Sequence, residues 1–564
     1  MYSKTRRERP TRRDRMDGTL NQRTLFYTSH RSRPRASRVP ARGASPVSTR
    51  RRARPFVSVT SPADARWTDA NRSVVCAMLS APARARVAFA HRARVVSKSN
   101  RHRRRAFVPV PRARGDDGDR PDVAVLGGGA AGLTAAYFAA TRGAEVTVFE
   151  RTSEPGKKIL MSGGARCNVL PASASAGDFV TESAARRLKA VLASWSVDRC
   201  KEWLEEDVGL ALGVERETNK YFPLSNSSKE VRDKLVSACE RAGVKFKFET
   251  SVDGLARSGD EDAGEWTLRV RGSADVRAKT VVLAMGGMSF PAVGTDGTGY
   301  AIARRDLDHA LNEPYPALVP LTGPHPGGEA MPGVSTQVEL KVTESKSGGG
   351  GGGKKKAARA TRKGFLFTHR GFSGPSILDL SHHLVRPLVR ANNAKGGSTQ
   401  DENFDDPTDA SPKMMVNWSG INREEWQERL TAPPGRALVL SRLREALPSR
   451  LADALVAESG VDSRCKIAEL KKDDRLKLLK VLTEYEIAVK GHQGYRKAEV
   501  TGGGVALDEL NTASMESLKA PGIFFCGEVC DVFGRIGGFN FLWAWCSGRL
   551  AGQSAARKVL EAEG

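Results

Sequence analysis

Three glycines and one glutamate carry the first legible chemistry. From Asp122 the chain reads DVAVLGGGAAGLTAAYFAATRGAEVTVFE, in which Gly127, Gly129 and Gly132 have the G-x-G-x-x-G spacing and Glu150 follows at the distance of a ribose-binding acid. The first glycine allows a tight turn, the second lets backbone approach a pyrophosphate, and the third lets a helix pack closely on a sheet. Ala130 and Ala131 open that helix, whose free amides and positive dipole end face the phosphates. A carboxylate at Glu150 accepts hydrogen bonds from an adenosine ribose and repels a 2′-phosphate.

The elements needed to position these groups follow in order. Val123 to Leu126 predicts a buried strand, Ala130 to Thr141 a helix that Gly143 terminates, and Val146 to Phe149 a second strand. The unit predicts a dinucleotide site in an α/β fold, against the alternative of a structural glycine turn. By itself it does not separate NAD from FAD.

The chain has 564 residues, enough for two or three cores. A formal charge of +26 would suggest nucleic acid or an anionic membrane as partner if it were spread over the fold. Residues 1–120, however, hold 31 Lys and Arg against 8 Asp and Glu, which leaves the body at +3. Such a body gives no reason to expect a nucleic-acid partner. The leader is Arg-rich, acid-poor and without hydrophobic periodicity, the composition of an organelle transit peptide. It predicts delivery to the chloroplast through the import machinery, with the mitochondrion as alternative. A basic tail that binds an anionic partner is the competing reading. Met78 is a second candidate start, because Met78 to Gly115 holds 11 basic residues and no acid. No apolar run reaches the ~18 residues of a membrane span. The eight cysteines are scattered, without zinc-type pairs or disulfide-scaffold density, so no metal site is expected and a reducing compartment is the simpler reading.

After Glu150 the chain continues RTSEPGKKILMSGGARCN, and near its other end it reads TGGGVALDELNTASMESLKAPGIFFCGEVCDVFGRIGGFNFLWAWCSGRLAG. With AMGGMSFPAVGTDGTGYAIA at 284–303 and GFLFTHRGFSGPSILDLS at 364–381, these segments resemble the YhiN-like or BaiN-like flavoproteins, NAD(P)/FAD-dependent oxidoreductases of the aminoacetone oxidase type. The resemblance implies an α/β fold in which a Rossmann-type FAD-binding domain with a parallel sheet is interrupted by an inserted β-barrel domain and a small helical domain. It implies FAD as cofactor, with NAD(P)H as a transient co-substrate.

Carried over residue by residue, the implied cofactor contacts are Gly127, Gly129, Ala130, Ala131, Gly132, Glu150, Arg151, Lys158, Arg166, Val252, Ala284, Gly286, Gly527, Glu528, Gly538, Phe539 and Asn540. Glu528 is expected beside the ribityl and pyrophosphate. Gly537, Gly538, Phe539 and Asn540 form the expected flavin-edge turn, whose amides stabilise charge on the reduced ring. The following helix, Phe541 to Ala551, adds its dipole.

No catalytic acid or base declares itself. Arg166, Cys167 and His369 are the candidates, and Lys158 and Tyr221 join His369 as polar groups expected near the cleft. Each has a structural alternative: an ion pair for Arg166, a packing thiol for Cys167, a turn hydrogen bond for His369. Cys526 and Cys530 read as buried spectators rather than a redox pair. Departures from the family pattern cluster near the flavin. Ala165 replaces a glycine and so resists positive φ, Leu170-Pro171 replaces Thr-Asn, and Phe533, Ile536, Phe539 and Leu542 replace polar residues. Cofactor binding through backbone survives such changes, while substrate preference is free to differ.

The remaining chain divides by pattern. Residues 121–315 form the first part of the FAD domain, with helices over Ala184 to Glu206 and Lys229 to Ala242 and a turn at Lys220 to Pro223. Residues 316–380 read as the first part of the barrel, interrupted by a Gly/Lys-rich loop at 345–363. Residues 381–490 read as the helical insert, with a polar loop at 392–412 and apolar residues Leu440, Leu443, Leu447, Leu451 and Leu455 at helical spacing. Residues 491–564 return to the barrel and the FAD domain. The expected activity passes a hydride or electrons through flavin N5 with a small-molecule substrate, the flavin being reduced by NAD(P)H or, in an oxidase-type reaction, passing electrons from an amine or hydroxy compound to O2. The alternative is a flavin-holding RNA-interaction or regulatory protein without turnover.

Overall fold

The computed structural model describes residues 120–562 apart from 259–263, 344–357, 399, 404–411 and 432–435. The basic leader read as a transit peptide, Met78, the run from Gly348 to Lys356 and part of the polar insertion lie outside the described residues.

Short runs of Val, Ile, Leu and Phe make the central strands. Val123–Leu126, Val146–Phe149, Thr280–Leu283 and Ile523–Phe525 are buried along their whole lengths, as parallel strands covered on both faces must be. They belong to a seven-stranded sheet in the order Leu510–Asn511, Glu516–Ser517, Ile523–Phe525, Thr280–Leu283, Val123–Leu126, Val146–Phe149, Lys245–Lys247. Its five last members are parallel, and the first two run antiparallel at one edge. Val125 stands beside Val282 on one side and Val148 on the other. The strand order reverses there, and open α/β sheets bind ligands beyond the carboxyl ends of strands at that point. The residues just past those ends are Gly127, Glu150, Ala284 and Gly527.

The helix Ala130–Ala140 packs on the C-terminal helix Phe539–Ala562. Small residues bring the two into backbone contact. A Cβ at Gly548 would stand 2.6 Å from the Ala131 carbonyl oxygen, and one at Gly552 would overlap the carbonyl of Ala135. The two ends of the described chain thereby close one core.

The chain leaves this body on an antiparallel ribbon, Leu311–Ala317 against Val500–Val505. The ribbon carries a second, antiparallel sheet ordered Tyr485–Ile487, Lys413–Asn417, Ser335–Thr343, Ala358–Thr368, Gly371–Ser373, Leu321–Thr322, Gly491–His492. Its two outer strands do not pair with each other among the described residues, so the expected inserted barrel domain takes the form of a half-barrel. The helix Pro375–Ala394 buries Ile377, Leu384, Val385 and Val389 against it. Four short helices, Arg423–Arg429, Val439–Arg444, Ser449–Glu458 and Lys472–Thr483, complete a second core around Trp418 and Trp426.

Several boundaries differ from the sequence reading. Lys220–Pro223 is the middle strand of a small sheet with Leu170–Pro171 and Leu212–Glu215, not a turn. Strand Ala358–Thr368 begins inside the expected 345–363 loop, and the helix ending at Ala394 enters the expected 392–412 loop. Strands Lys413–Asn417 and Tyr485–Ile487, in the stretch read as helical, rejoin the half-barrel. In each case partners distant in sequence override local composition. Pro448 splits the leucine series into two helices.

Asp531 fastens the body to its insert. It is 2% exposed, and its Oδ2 accepts hydrogen bonds from the Glu182 amide (2.8 Å), the Thr181 hydroxyl (3.2 Å) and Asn312 Nδ2 (2.7 Å). Burial pushes its carboxyl up to about 6, against the lowering effect of those donors. Because the folded value lies above the unfolded one, this group favours the fold at low pH, and that contribution is lost as pH rises through about 6. Two outcomes follow. Between pH 4 and 8, the stability difference between the native protein and Asp531→Asn shifts by about 3 kcal/mol in favour of the variant, measured by urea unfolding at each pH. Gly552→Val forces the two helices apart, lowering stability by about 1–3 kcal/mol and reducing the flavin-to-protein absorbance ratio of the purified protein.

Candidate active site

A cleft of about 370 Å³ runs from Gly127 and Glu150 to Gly537, Gly538 and Asn540. At its first end the fingerprint glycines act as their spacing predicts. Gly127 has φ +101°, and a Cβ there would stand 2.6 Å from the Ala284 carbonyl oxygen. A Cβ at Gly132 would overlap the Gly127 carbonyl, whereas at Gly129 it would meet open space. That open space over the helix N-terminus is where a diphosphate can lie against backbone. Glu150 accepts hydrogen bonds from the Gly128 amide (2.8 Å) and from the amide and hydroxyl of Thr152 (2.9 and 2.8 Å). Each carboxylate oxygen has more than one lone pair, so a ribose hydroxyl can still be accepted. Arg151 pairs with Asp296. Against the penalty of burial, hydrogen bonds from Thr298 and Arg151 hold the Asp296 carboxyl below its ordinary range.

The middle of the cleft is braced by a polar network. Lys158 Nζ donates to Glu528 Oε2 (2.6 Å) and to Ser289 Oγ (2.5 Å). Glu528 Oε1 accepts from Ser289 Oγ (2.9 Å) and the Thr501 amide (3.0 Å). Thr501 Oγ1 in turn accepts from the amides of Met288 and Ser289. Glu528 was expected to meet the cofactor directly; it lines the cleft, and its two oxygens also accept the three bonds of this brace. Gly527 is fixed from the C-terminal helix: its amide donates to Ser547 Oγ (3.0 Å) and its carbonyl accepts from Trp543 Nε1 (2.9 Å).

At the far end Asn540 clasps Gly534, accepting from its amide (2.8 Å) and donating to its carbonyl (3.0 Å). Gly537 and Gly538 turn the chain between them at φ +122° and +89°. Lys220 lies against this turn, with its Cε 2.7 Å from where a Gly537 Cβ would be. Burial pulls the Lys220 ammonium below its ordinary range, and Lys363 and Arg535 add repulsion against the attraction of Asp379 and Glu215. Asp379 accepts from the Ile536 amide (2.8 Å) and from Lys363 (2.6 Å), while Arg535 pairs with Asp178 (2.7 Å).

Of the residues expected to hold cofactor, Gly127, Gly129, Ala130, Ala131, Glu150, Arg151, Lys158, Val252, Ala284, Gly286, Gly527, Glu528, Gly538 and Asn540 line the cleft. Gly132 and Phe539 do not: the first serves helix packing, and the second is buried against Phe179. The catalytic candidates fall outside it. Arg166 bonds Asn226 (2.8 Å) and Glu215 (3.1 Å) and lies over the Phe222 ring at 4.2 Å. Cys167 is fully buried, and burial pushes its thiol up to about 12. His369 is exposed in the turn between two half-barrel strands, and Tyr221 sits within the small three-stranded sheet. Cys526 and Cys530 are free, buried thiols. Sequence reasoning missed Ser289, Asp296, Glu499 and Thr501. Thr501 opens the TGGG motif and Ser289 and Asp296 stand in the 284–303 segment already quoted, so the signal was in hand; Glu499 needed tertiary contacts.

Ser162, Gly163 and Gly164 also line the cleft. Their segment is left-handed, with φ of +56°, +64° and +69° at Gly163, Gly164 and Ala165. Ala165 thus takes the conformation it was expected to resist.

The open cradle at Gly129, the acid at Glu150 and the glycine turn at the far end suit the diphosphate, ribose and ring edge of FAD. The site is that of a Rossmann-type FAD-dependent oxidoreductase. Residues 121–554 match the HI0933-like protein Rossmann domain, and the chain belongs to that family. It is 30% identical over 432 residues to a ribosomal RNA dihydrouridine synthase of Escherichia coli, covering 76% of this chain and 96% of that protein. A ribosomal RNA dihydrouridine synthase of Haemophilus influenzae is 28% identical, with 77% and 98% covered. A 3-dehydro-bile acid delta(4,6)-reductase of Clostridium scindens is 28% identical, with 77% and 99% covered.

Left-handed backbone costs an L-residue roughly 1–2 kcal/mol, and the added freedom of an unfolded glycine offsets about half of that. Ala165→Gly is therefore expected to raise the melting temperature slightly with FAD content unchanged, as read by thermal denaturation of the holoprotein.

Proposed function

We propose that this protein is an FAD-dependent reductase that saturates a carbon–carbon double bond conjugated to a carbonyl, with a uracil ring of ribosomal RNA as substrate and NAD(P)H as electron source. The observation that carries the reading is the cleft itself, which ends at the Gly537–Gly538 turn beside the ribbon that joins body to half-barrel. A ring bound along that turn is open to a substrate from the insert side. When bound, FAD supplies a hydride donor at its ring, and protein groups do the rest. Gly129, Ala130 and Ala131 hold the diphosphate, Glu150 the ribose, and the amides of Gly537 and Gly538 the carbonyl edge of the ring. The Lys158–Glu528–Ser289–Thr501 network keeps the middle of the cleft rigid.

The substrate class comes from what the relatives are named for. Two form dihydrouridine in ribosomal RNA and one reduces a 3-dehydro-bile acid. A uracil ring and a conjugated ketone share one chemical feature, an alkene polarised by a carbonyl. Two of these three relatives are named for ribosomal RNA, which favours RNA although the body as a whole is near neutral. A single nucleotide fingerprint among the described residues leaves NAD(P)H without a domain of its own, so it docks transiently.

The full-length holoprotein, incubated with NADH or NADPH and an unmodified ribosomal RNA transcript, is expected to yield dihydrouridine in nucleoside mass spectra. Bleaching of the flavin by reduced nucleotide with RNA left unchanged, and with a conjugated ketosteroid reduced in its place, would move the substrate to the small-molecule class.

A further inference from the structure

Five carboxylates line the cleft, and four are tied. Glu150 is held by Gly128 and Thr152, Glu154 by Arg232, Asp296 by Arg151 and Thr298, and Glu528 by Lys158, Ser289 and Thr501. The fifth, Glu499, has a carboxylate with no hydrogen bond or ion pair among the described residues, yet its backbone is fixed. Its amide donates to the Leu318 carbonyl (3.2 Å), and its own carbonyl accepts from Ser289 Oγ (3.5 Å). Leu318 and Glu499, which flank the end of the ribbon, and Val500 on it are the lining contributed where the two cores join. A rigid mount, a free carboxyl and a place where body meets insert are what a proton donor to a bound substrate requires.

We infer that Glu499 is the acid that protonates the substrate carbon next to the carbonyl, completing reduction of the double bond. The inference rests on the reading of the protein as a double-bond reductase. In that reaction the alkene gains a hydride from reduced FAD at the carbon remote from the carbonyl and a proton from Glu499 at the adjacent carbon. The π bond is lost, two C–H bonds form, FAD is left oxidised, and Glu499 is left as carboxylate to regain its proton from water. For uracil the two carbons are C6 and C5.

Electrostatics supports this placement. The side chain is accessible from the cleft, but protein crowds its other sides and raises its carboxyl above the ordinary range, against the pull of Lys158. Among the described residues Lys158 is the charged group that pulls it down, and Glu528, bonded to that lysine, stands beyond. Two carboxylates are thus held apart in behaviour by their surroundings, one locked and one available.

The test uses full-length holoprotein, native and as Glu499→Gln and Glu499→Asp, reduced with dithionite and mixed anaerobically with an unmodified ribosomal RNA transcript or with cyclohex-2-enone. Return of the flavin absorbance is expected to slow at least about 100-fold in Glu499→Gln and less in Glu499→Asp, with FAD content and dithionite reduction unchanged. In the native protein the rate is expected to fall as pH rises through the raised carboxyl value, and this limb is absent in Glu499→Gln. Infrared difference spectra across the same pH range are expected to show, besides the Asp531 band shared by both proteins, a protonated-carboxyl band that Glu499→Gln lacks. Equal reoxidation of native and Glu499→Gln protein, or native spectra that show no carboxyl band beyond those of Glu499→Gln, overturns the role of Glu499. Native protein that neither probe reoxidises overturns the double-bond reading itself.

Discussion

Two helices from opposite ends of the described chain touch through backbone, and the cofactor site depends on that contact. Ala131 and Ala135 on the fingerprint helix leave room for Gly548 and Gly552 on the C-terminal helix, and no side chain larger than hydrogen is accommodated between them. From this fixed helix Trp543 and Ser547 reach Gly527, and the same helix begins directly after the Gly537–Gly538 turn. The position of the cleft's far end is therefore set by how closely two helices pack beneath it. Interiors of native density transmit such a constraint, because a shift of one element must displace the next.

The ribbon Leu311–Ala317 with Val500–Val505 couples that body to the half-barrel. Thr501 stands on it and Glu499 just before it, the first holding the Met288–Ser289 turn and the second lining the cleft. Asp531 fixes the ribbon to the Thr181–Glu182 segment through Asn312. This arrangement burdens the protein with a buried carboxylate that is less favourable at neutral pH. It gains a defined angle between body and insert, at the place where the cleft meets the substrate side.

What could be read in advance follows the range of the forces involved. The dinucleotide cradle was legible because its requirements are local: a tight turn at Gly127, a close approach at Gly132, an acid at Glu150. The helical and strand assignments failed where pairing is long-range. Lys220–Pro223 looks like a turn until Leu170–Pro171 and Leu212–Glu215 flank it. The strands at Lys413–Asn417 and Tyr485–Ile487 are separated by four helices before they meet. Among site residues, Arg166, Cys167 and His369 drew attention for their chemical types, yet type alone does not say which way a side chain is committed. Glu499 carries no motif of its own, and only the unfilled bonding capacity of its carboxylate marks it out.

The interleaving of the two cores also sets an order of assembly. Strand Ile523–Phe525 joins the parallel sheet beside Thr280–Leu283, and the whole half-barrel is synthesised between these neighbours. During translation the insert can condense while the sheet that will hold the flavin still lacks a strand and its covering helix. Flavin capture is consequently a late event in the biogenesis of this protein, and a nascent chain arrested before Ile523 would be colourless however well its insert had folded.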